Sequence, residues 1–195
     1  MRELERYAEV VVDLGTGDGK FVLREARARP EVLFVGLDAL DEATRESASR
    51  AARKPARGGA PNAVFLTADA TSPPSALRGR ASLVTVNFPW GSLLRAVAEP
   101  RPSALREIVA LLRPGGRLVA LLNLSAAEDP AYADRLSLPS IDEAQIVAGW
   151  EAVGLRDVEA RRLEPGEEPP HRTSWGQRLV RGSGRETLYV SGVRG

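Results

Sequence analysis

Asp13-Leu14-Gly15-Thr16-Gly17-Asp18-Gly19 is the segment of this 195-residue chain whose residue types and spacing are most suited to holding a ligand. Three glycines on alternate positions permit positive φ and let backbone approach a bound group closely. The β-branched run Val10-Val11-Val12 ahead of them places the turn at the carboxyl end of a strand, where doubly wound folds bind cofactors. Two phosphate motifs are excluded: a dinucleotide fingerprint needs its third glycine where Lys20 and Phe21 stand, and a P-loop needs a glycine where Leu14 sits. Asp13 and Asp18 flank the turn, so a pyrophosphate would meet two carboxylates, whereas an ammonium or a sulfonium would be attracted. S-adenosylmethionine is the common nucleoside carrying both cations. The loop therefore predicts that cofactor, with Asp13, Gly15, Thr16, Gly17 and Gly19 around it.

Two further strand ends extend this reading. Asp38, with Ala39, closes the second apolar run about 20 to 25 residues after the loop, where an acid accepts hydrogen bonds from ribose hydroxyls. Asp38 could instead cap the following helix, a role Asp41 could also fill. Ala68-Asp69-Ala70 follows the third run, where methyltransferases with a similar glycine loop contact adenine, and Asp69 could accept from the exocyclic amine.

The fourth run ends in Asn87-Phe88-Pro89-Trp90-Gly91-Ser92. An aromatic held by proline at that edge suits stacking on a planar base, so Trp90 and Pro89 are candidates for the reaction site and Phe88 for the cofactor side. The motif partly resembles the Asn-Pro-Pro-aromatic turn of enzymes that methylate exocyclic amines, with Phe88 in place of the first proline. Trp175, in the long connection after the acidic, proline-rich Glu164–Pro170 stretch, could close a pocket against Trp90.

Composition limits the chemistry. With no cysteine and a single histidine, His171, the chain has no disulfide, no thiolate or multi-histidine metal site and no Cys nucleophile. No metal is expected. No apolar run reaches the roughly 18 residues of a membrane span, and no signal peptide is read, so a cytoplasmic protein without a membrane partner is expected. Lys+Arg total 27 against 26 Asp+Glu, yet the bases are unevenly placed. Arg50, Arg53, Lys54 and Arg57 lie in an acid-free stretch from Ser47 to Ala68; Arg172, Arg178, Arg181 and Arg185 lie in another from His171 to Arg185. Both suit phosphate contacts.

The elements that must position these residues alternate. Strand-like runs occur at Val10–Leu14, Leu33–Leu37, Val64–Leu66, Leu83–Val86 and Leu118–Leu122, with helical spacing at about 18–29, 41–53, 92–98, 102–112 and 141–153. A last strand at about Glu186–Gly192 follows no helix and is expected antiparallel, at or near the edge. The order predicts an α/β fold: a mostly parallel, seven-stranded Rossmann-like sheet with helices on both faces. One domain over 1–195 is expected, with substrate-binding insertions at about 124–140 and 164–185.

Asp13–Gly19, Lys54-Pro55-Ala56-Arg57-Gly58-Gly59-Ala60-Pro61-Asn62, Phe88-Pro89-Trp90-Gly91-Ser92-Leu93-Leu94 and Thr173-Ser174-Trp175-Gly176-Gln177-Arg178-Leu179, in that order, resemble the aminoglycoside-resistance 16S ribosomal RNA adenine-N1 methyltransferases of the Kam and Npm type. The resemblance spans nearly the whole chain and implies a class I S-adenosylmethionine-dependent enzyme. Its substrate would be N1 of the decoding-site adenine 1408, on helix 44 of the assembled 30S subunit, and the chain is expected to act as a monomer. It further implies that Trp90 and Trp175 sandwich the flipped adenine, that Thr173 supports it, and that Arg50, Arg53, Lys54, Arg57, Arg178 and Arg185 grip rRNA phosphates. Ser183 stands where a family member carries a further base, with Arg181 beside it. Adenine N1 already bears a lone pair at neutral pH, so transfer needs alignment and no general base, in keeping with the missing Cys and near-missing His. Three other readings are open to the residues: a tRNA guanine-N7 methyltransferase, a small-molecule methyltransferase, and a non-catalytic cofactor-sensing RNA-binding protein.

Overall fold

The computed structural model describes residues 6–99, 102–124, 141–164, 167 and 186–195. In chain order the elements are β1 (Glu9–Leu14), α1 (Lys20–Ala28), β2 (Val32–Asp38), α2 (Asp41–Ala51), β3 (Ala63–Thr67), β4 (Ala81–Asn87), α3 (Gly91–Ala98), α4 (Pro102–Val109), β5 (Leu112–Asn123), α5 (Glu143–Glu151), β6 (Leu155–Arg162) and β7 (Thr187–Arg194). The strands form one seven-stranded sheet in the order β3-β2-β1-β4-β5-β7-β6. β1 through β5 run parallel, joined by crossovers, and β7 pairs antiparallel with both β5 and β6.

Strands buried on both faces read as continuous apolar runs because helices cover each side. Alternate residues of β1 divide between two cores. Val10, Val12 and Leu14 face α3, α4 and α5 through Leu94, Val97, Leu105, Ile108 and Trp150, while Val11 joins Phe21, Val22 and Ala26 of α1 and Ala51 of α2. Trp150 is fully buried and its Nε1 donates to the Val97 carbonyl at 3.0 Å, so the third tryptophan belongs to the core.

The sheet departs from the individually read runs in two places. β6 was not among them: Arg156, Asp157, Glu159, Arg161 and Arg162 make it look like surface, and it is an edge strand with a bulge at Asp157, whose φ is 51°. Pro114-Gly115-Gly116, expected to bound a helix reaching 112, instead falls within β5, and α4 stops at Val109. β7 is antiparallel and lies near the edge as expected, one strand in, with β6 outside it. Among the described residues no helix is long and apolar enough to cross a membrane.

Candidate active site

Strand order reverses between β1 and β4, which leaves a crevice at their carboxyl ends. A cavity of about 460 Å³ opens there, walled by the glycine loop (Gly15, Thr16, Gly17), by Asp38 to Leu40, by Asp69 and Ala70, and by Asn87 to Trp90. Three successive strand ends thus deliver their acids to one space. A larger, shallow depression of about 680 Å³ runs along the outer face of α2, lined by Glu42, Arg45, Glu46, Ser49, Arg50 and Arg53. Alternating charge on one helix face offers no convergent donors or acceptors, so the crevice is the site.

The loop takes its shape from positive φ at Gly15 (66°), Gly17 (57°) and Gly19 (66°). Gly17 faces open space on the cavity wall, whereas a Cβ on Gly19 would meet Phe65 Cε1 at 2.5 Å. Gly19 therefore packs α1 against the sheet and lies off the cavity wall, as does Ala68, whose N–H donates to the Asp38 carbonyl at 2.9 Å.

Asp13 is the buried charge of the site. Its Oδ1 accepts from Thr85 Oγ1 at 2.6 Å and from Asn87 Nδ2 at 2.9 Å. Desolvation pushes its carboxyl up to about 6; the hydrogen bonds oppose that rise and the negative Asp38 adds to it. Thr16 also acts to lower it, although the Thr16 hydroxyl reaches no partner at hydrogen-bond geometry. Asp38 is fastened by Gly17 N–H at 2.8 Å and Leu40 N–H at 3.0 Å, which ties β2 to the glycine loop and leaves lone pairs on both oxygens. Asp41 makes no capping bond on α2. Asp69 Oδ1 accepts from the backbone and the hydroxyl of Thr71, each at 2.8 Å. Asp18 is not a bare carboxylate, because Lys20 Nζ sits 2.8 Å from it. The negative field at the loop comes from Asp13 and Asp38.

Whether S-adenosylmethionine fits this site is answered by two orphaned atoms. Thr16 Oγ1 and Asn87 Oδ1 are buried with no hydrogen-bond partner, and both residues wall the cavity beside Asp13. An unpaired hydroxyl, an unpaired amide oxygen and a carboxylate form an acceptor set suited to an ammonium and a sulfonium, while the Asp38 and Asp69 carboxylates suit hydroxyl and amine donors. The residues fit the group. Sequence reasoning missed Asn87, Leu40, Phe21, Ser92 and Leu93 as wall residues. A polar residue at the carboxyl end of a mostly apolar strand was the available signal for Asn87.

On the reaction side, Trp90 is 43% exposed at the start of α3, while Phe88 is buried against Leu121, Leu163 and Tyr189. Phe88 has φ 51°, a conformation unusual for a side-chain-bearing residue, and its N–H donates to the Leu121 carbonyl at 2.8 Å. A proline, locked near −65°, cannot occupy that position, so this turn differs in backbone from an Asn-Pro-Pro-aromatic turn. Arg53, Lys54 and Arg57 are exposed where α2 gives way to a short turn at Pro55–Arg57, and Arg50 lies one turn earlier, 3.5 Å from Glu46. Thr173, Trp175, Arg178, Arg181 and Arg185 lie outside the described residues. Among the described residues no cluster of three or more His, Cys, Asp or Glu could hold a metal ion.

A seven-stranded sheet in this order, with a glycine loop and acids on the crevice at its centre, defines a class I methyltransferase. Comparison with known proteins narrows that class. The NpmA family profile, 16S rRNA (adenine(1408)-N(1))-methyltransferase, matches residues 1–194, and the chain belongs to this family. A 16S rRNA (adenine(1408)-N(1))-methyltransferase of Streptoalloteichus tenebrarius is 39% identical, over 97% of this chain and 88% of its own length. The crystal structure of the antibiotic-resistance methyltransferase Kmr superposes with a TM-score of 0.80 at 40% identity, covering 100% of this chain and 91% of the other. A 16S rRNA (adenine(1408)-N(1))-methyltransferase from Catenulisporales acidiphilia, solved as a tryptophan-to-alanine variant with cosubstrate SAM, gives 0.84 at 31% identity, over 99% and 88% of the two chains.

Proposed function

We propose that this chain methylates N1 of adenine 1408 in 16S rRNA, using S-adenosylmethionine, and thereby gives aminoglycoside resistance. The observation that carries the reading is the crevice itself, where an acceptor set for a cationic nucleoside meets an exposed tryptophan. The family match favours this reaction over tRNA guanine-N7 methylation, a small-molecule substrate or non-catalytic sensing.

Asp13, Thr16, Asn87, Asp38 and Asp69 would hold the cofactor. When bound, it would supply an electrophilic methyl group for the N1 lone pair, with the neutral thioether as leaving group. The protein's own task is to exclude water and align the base. Trp90, backed by Pro89, offers an aromatic face on which an extruded adenine stacks, worth roughly 1 to 3 kcal/mol, enough to offset much of the few kcal/mol needed to extract it. Trp175 would cover the other face and Thr173 would hold the base edge, both from the 164–185 insertion; the 124–140 insertion would frame the same opening. Arg50, Arg53, Lys54, Arg57, Arg178, Arg181 and Arg185 would contact phosphates of helix 44. The assembled 30S subunit is the expected substrate, the cytoplasm the expected site of action, and the working unit a monomer.

Labelled cofactor incubated with 30S subunits tests the assignment. N1 methylation blocks Watson–Crick pairing, so reverse transcription is expected to stop at adenine 1408. Methyl incorporation without that stop rejects the site.

A further inference from the structure

We propose that Arg27, on α1, is a positioning residue for rRNA contact: it clamps the Lys54–Ala60 turn and so holds Arg53, Lys54 and Arg57 in a fixed array. The inference rests on reading those three cations as phosphate contacts.

The internal bonds of the turn show how tightly it is wound. Arg57 N–H and Gly59 N–H both donate to the Lys54 carbonyl, at 2.8 and 3.1 Å, and Ala60 N–H donates to the Ala51 carbonyl of α2 at 2.9 Å. Gly59 lies so close to α2 that a Cβ there would fall 1.6 Å from the Arg53 carbonyl oxygen. Gly58 has φ 76°, and its carbonyl oxygen accepts from Arg27 Nη2. At the far end of the segment, buried Asn62 donates from Nδ2 to the carbonyls of Ala26, Arg29 and Val32, at 2.8, 2.9 and 2.8 Å. Arg27 and Asn62 therefore tie one turn to one place, the carboxyl end of α1.

The charge pattern separates this bond from ordinary surface pairing. Among the described residues, Arg27, Arg53, Lys54 and Arg57 make no ion pair with an acid, so Arg27 directs a cation at a backbone oxygen inside a cluster of cations. Holding like charges together in advance is costly in the free protein and useful where a polyanion will be gripped, because the ordering cost is met before binding. The same helix begins at the glycine loop, and Ser47 of α2 donates to the Asp18 carbonyl at 2.5 Å. The cationic turn is thereby referenced to the cofactor crevice through two short rods.

The test compares Arg27→Ala with the unaltered protein by two readouts. One is the rate of limited trypsin cleavage at Arg53–Lys54 and Arg57–Gly58; the other is steady-state methylation of 30S subunits. Loss of a charged hydrogen bond is expected to speed cleavage in the turn roughly tenfold and to raise KM for 30S subunits several-fold, the loss falling on KM and not on kcat. Arg27→Lys, whose ammonium still donates to the Gly58 carbonyl, is expected to restore both. A raised KM with unaltered cleavage makes Arg27 a direct phosphate ligand and overturns the clamp. Faster cleavage with unchanged KM, or no change in either, overturns it too. Lys54→Glu decides the underlying reading: unchanged KM in that variant rejects phosphate contact by the turn, whereas a raised KM there with an unaffected Arg27→Ala rejects the clamp alone.

Discussion

The Thr85 hydroxyl donates to the Asp13 carboxylate at 2.6 Å across the boundary between β4 and β1, within the paired register Asp13–Thr85. This bond partly compensates a carboxyl that burial pushes up to about 6 from 3.8. Because the native state holds that proton more tightly than the unfolded chain, the group favours folding most at low pH, and the contribution is withdrawn as pH rises through 6. The difference between 6 and 3.8 corresponds to about 3 kcal/mol. Asp13→Asn is therefore expected to melt higher than the parent at pH 8, with the gap narrowing as pH falls below 6. Cofactor affinity should respond in the opposite sense, since only the ionised carboxylate attracts a cation: titration calorimetry should show it weakening by up to tenfold per pH unit below about 6. A flat profile from pH 5 to 8 contradicts this.

Trp90→Ala removes the exposed face at the mouth of the crevice. Methylation of 30S subunits is expected to fall roughly tenfold to a hundredfold, the value of one base stack, while Trp90→Phe keeps most of the activity. Cofactor binding, measured separately, should persist in both. Normal turnover by the alanine variant ends the stacking assignment.

Phe88→Pro tests the backbone of the reaction turn. The substitution demands φ near −65° where 51° is found and deletes the N–H that reaches Leu121, so a loss of about 3 kcal/mol or more is expected in chemical denaturation. Phe88→Gly suits the backbone but leaves a void against Leu121, Leu163 and Tyr189, and should also lose stability.

Gly17→Ala and Gly59→Ala should fail differently. At Gly17 a methyl group meets nothing within 4 Å and costs only the positive φ, about 1 to 2 kcal/mol, yet it enters the crevice, so cofactor affinity should drop more than stability. At Gly59 the methyl collides with the Arg53 carbonyl, so the turn must shift; weaker 30S binding with unchanged cofactor affinity is expected.

The sheet was legible where burial on both faces makes strands read as apolar runs, as in Val10–Val12 and Leu118–Leu122, and the crevice was legible because glycines and acids punctuate those strand ends. β6 hid because one face and one edge meet water, which allows Arg156, Glu159 and Arg161. Gly19 lies off the cavity wall, and positive φ alone does not reveal what packs above a glycine; here it is Phe65, 46 positions away in sequence. The Asp18 charge was overstated for a similar reason, as Lys20 folds back on it. Asn87, quoted in its motif, was given no role because its importance rests on an unpaired oxygen, a property of the assembled crevice.

β6 has β7 as its sheet neighbour, and the inner edge of β7 seals Leu118–Leu122. A chain emerging from the ribosome must carry that five-residue apolar edge unpaired until Thr187–Arg194 has been synthesised. Deleting that strand, or delaying its synthesis, would turn the nascent protein into an aggregation substrate before it ever met its own.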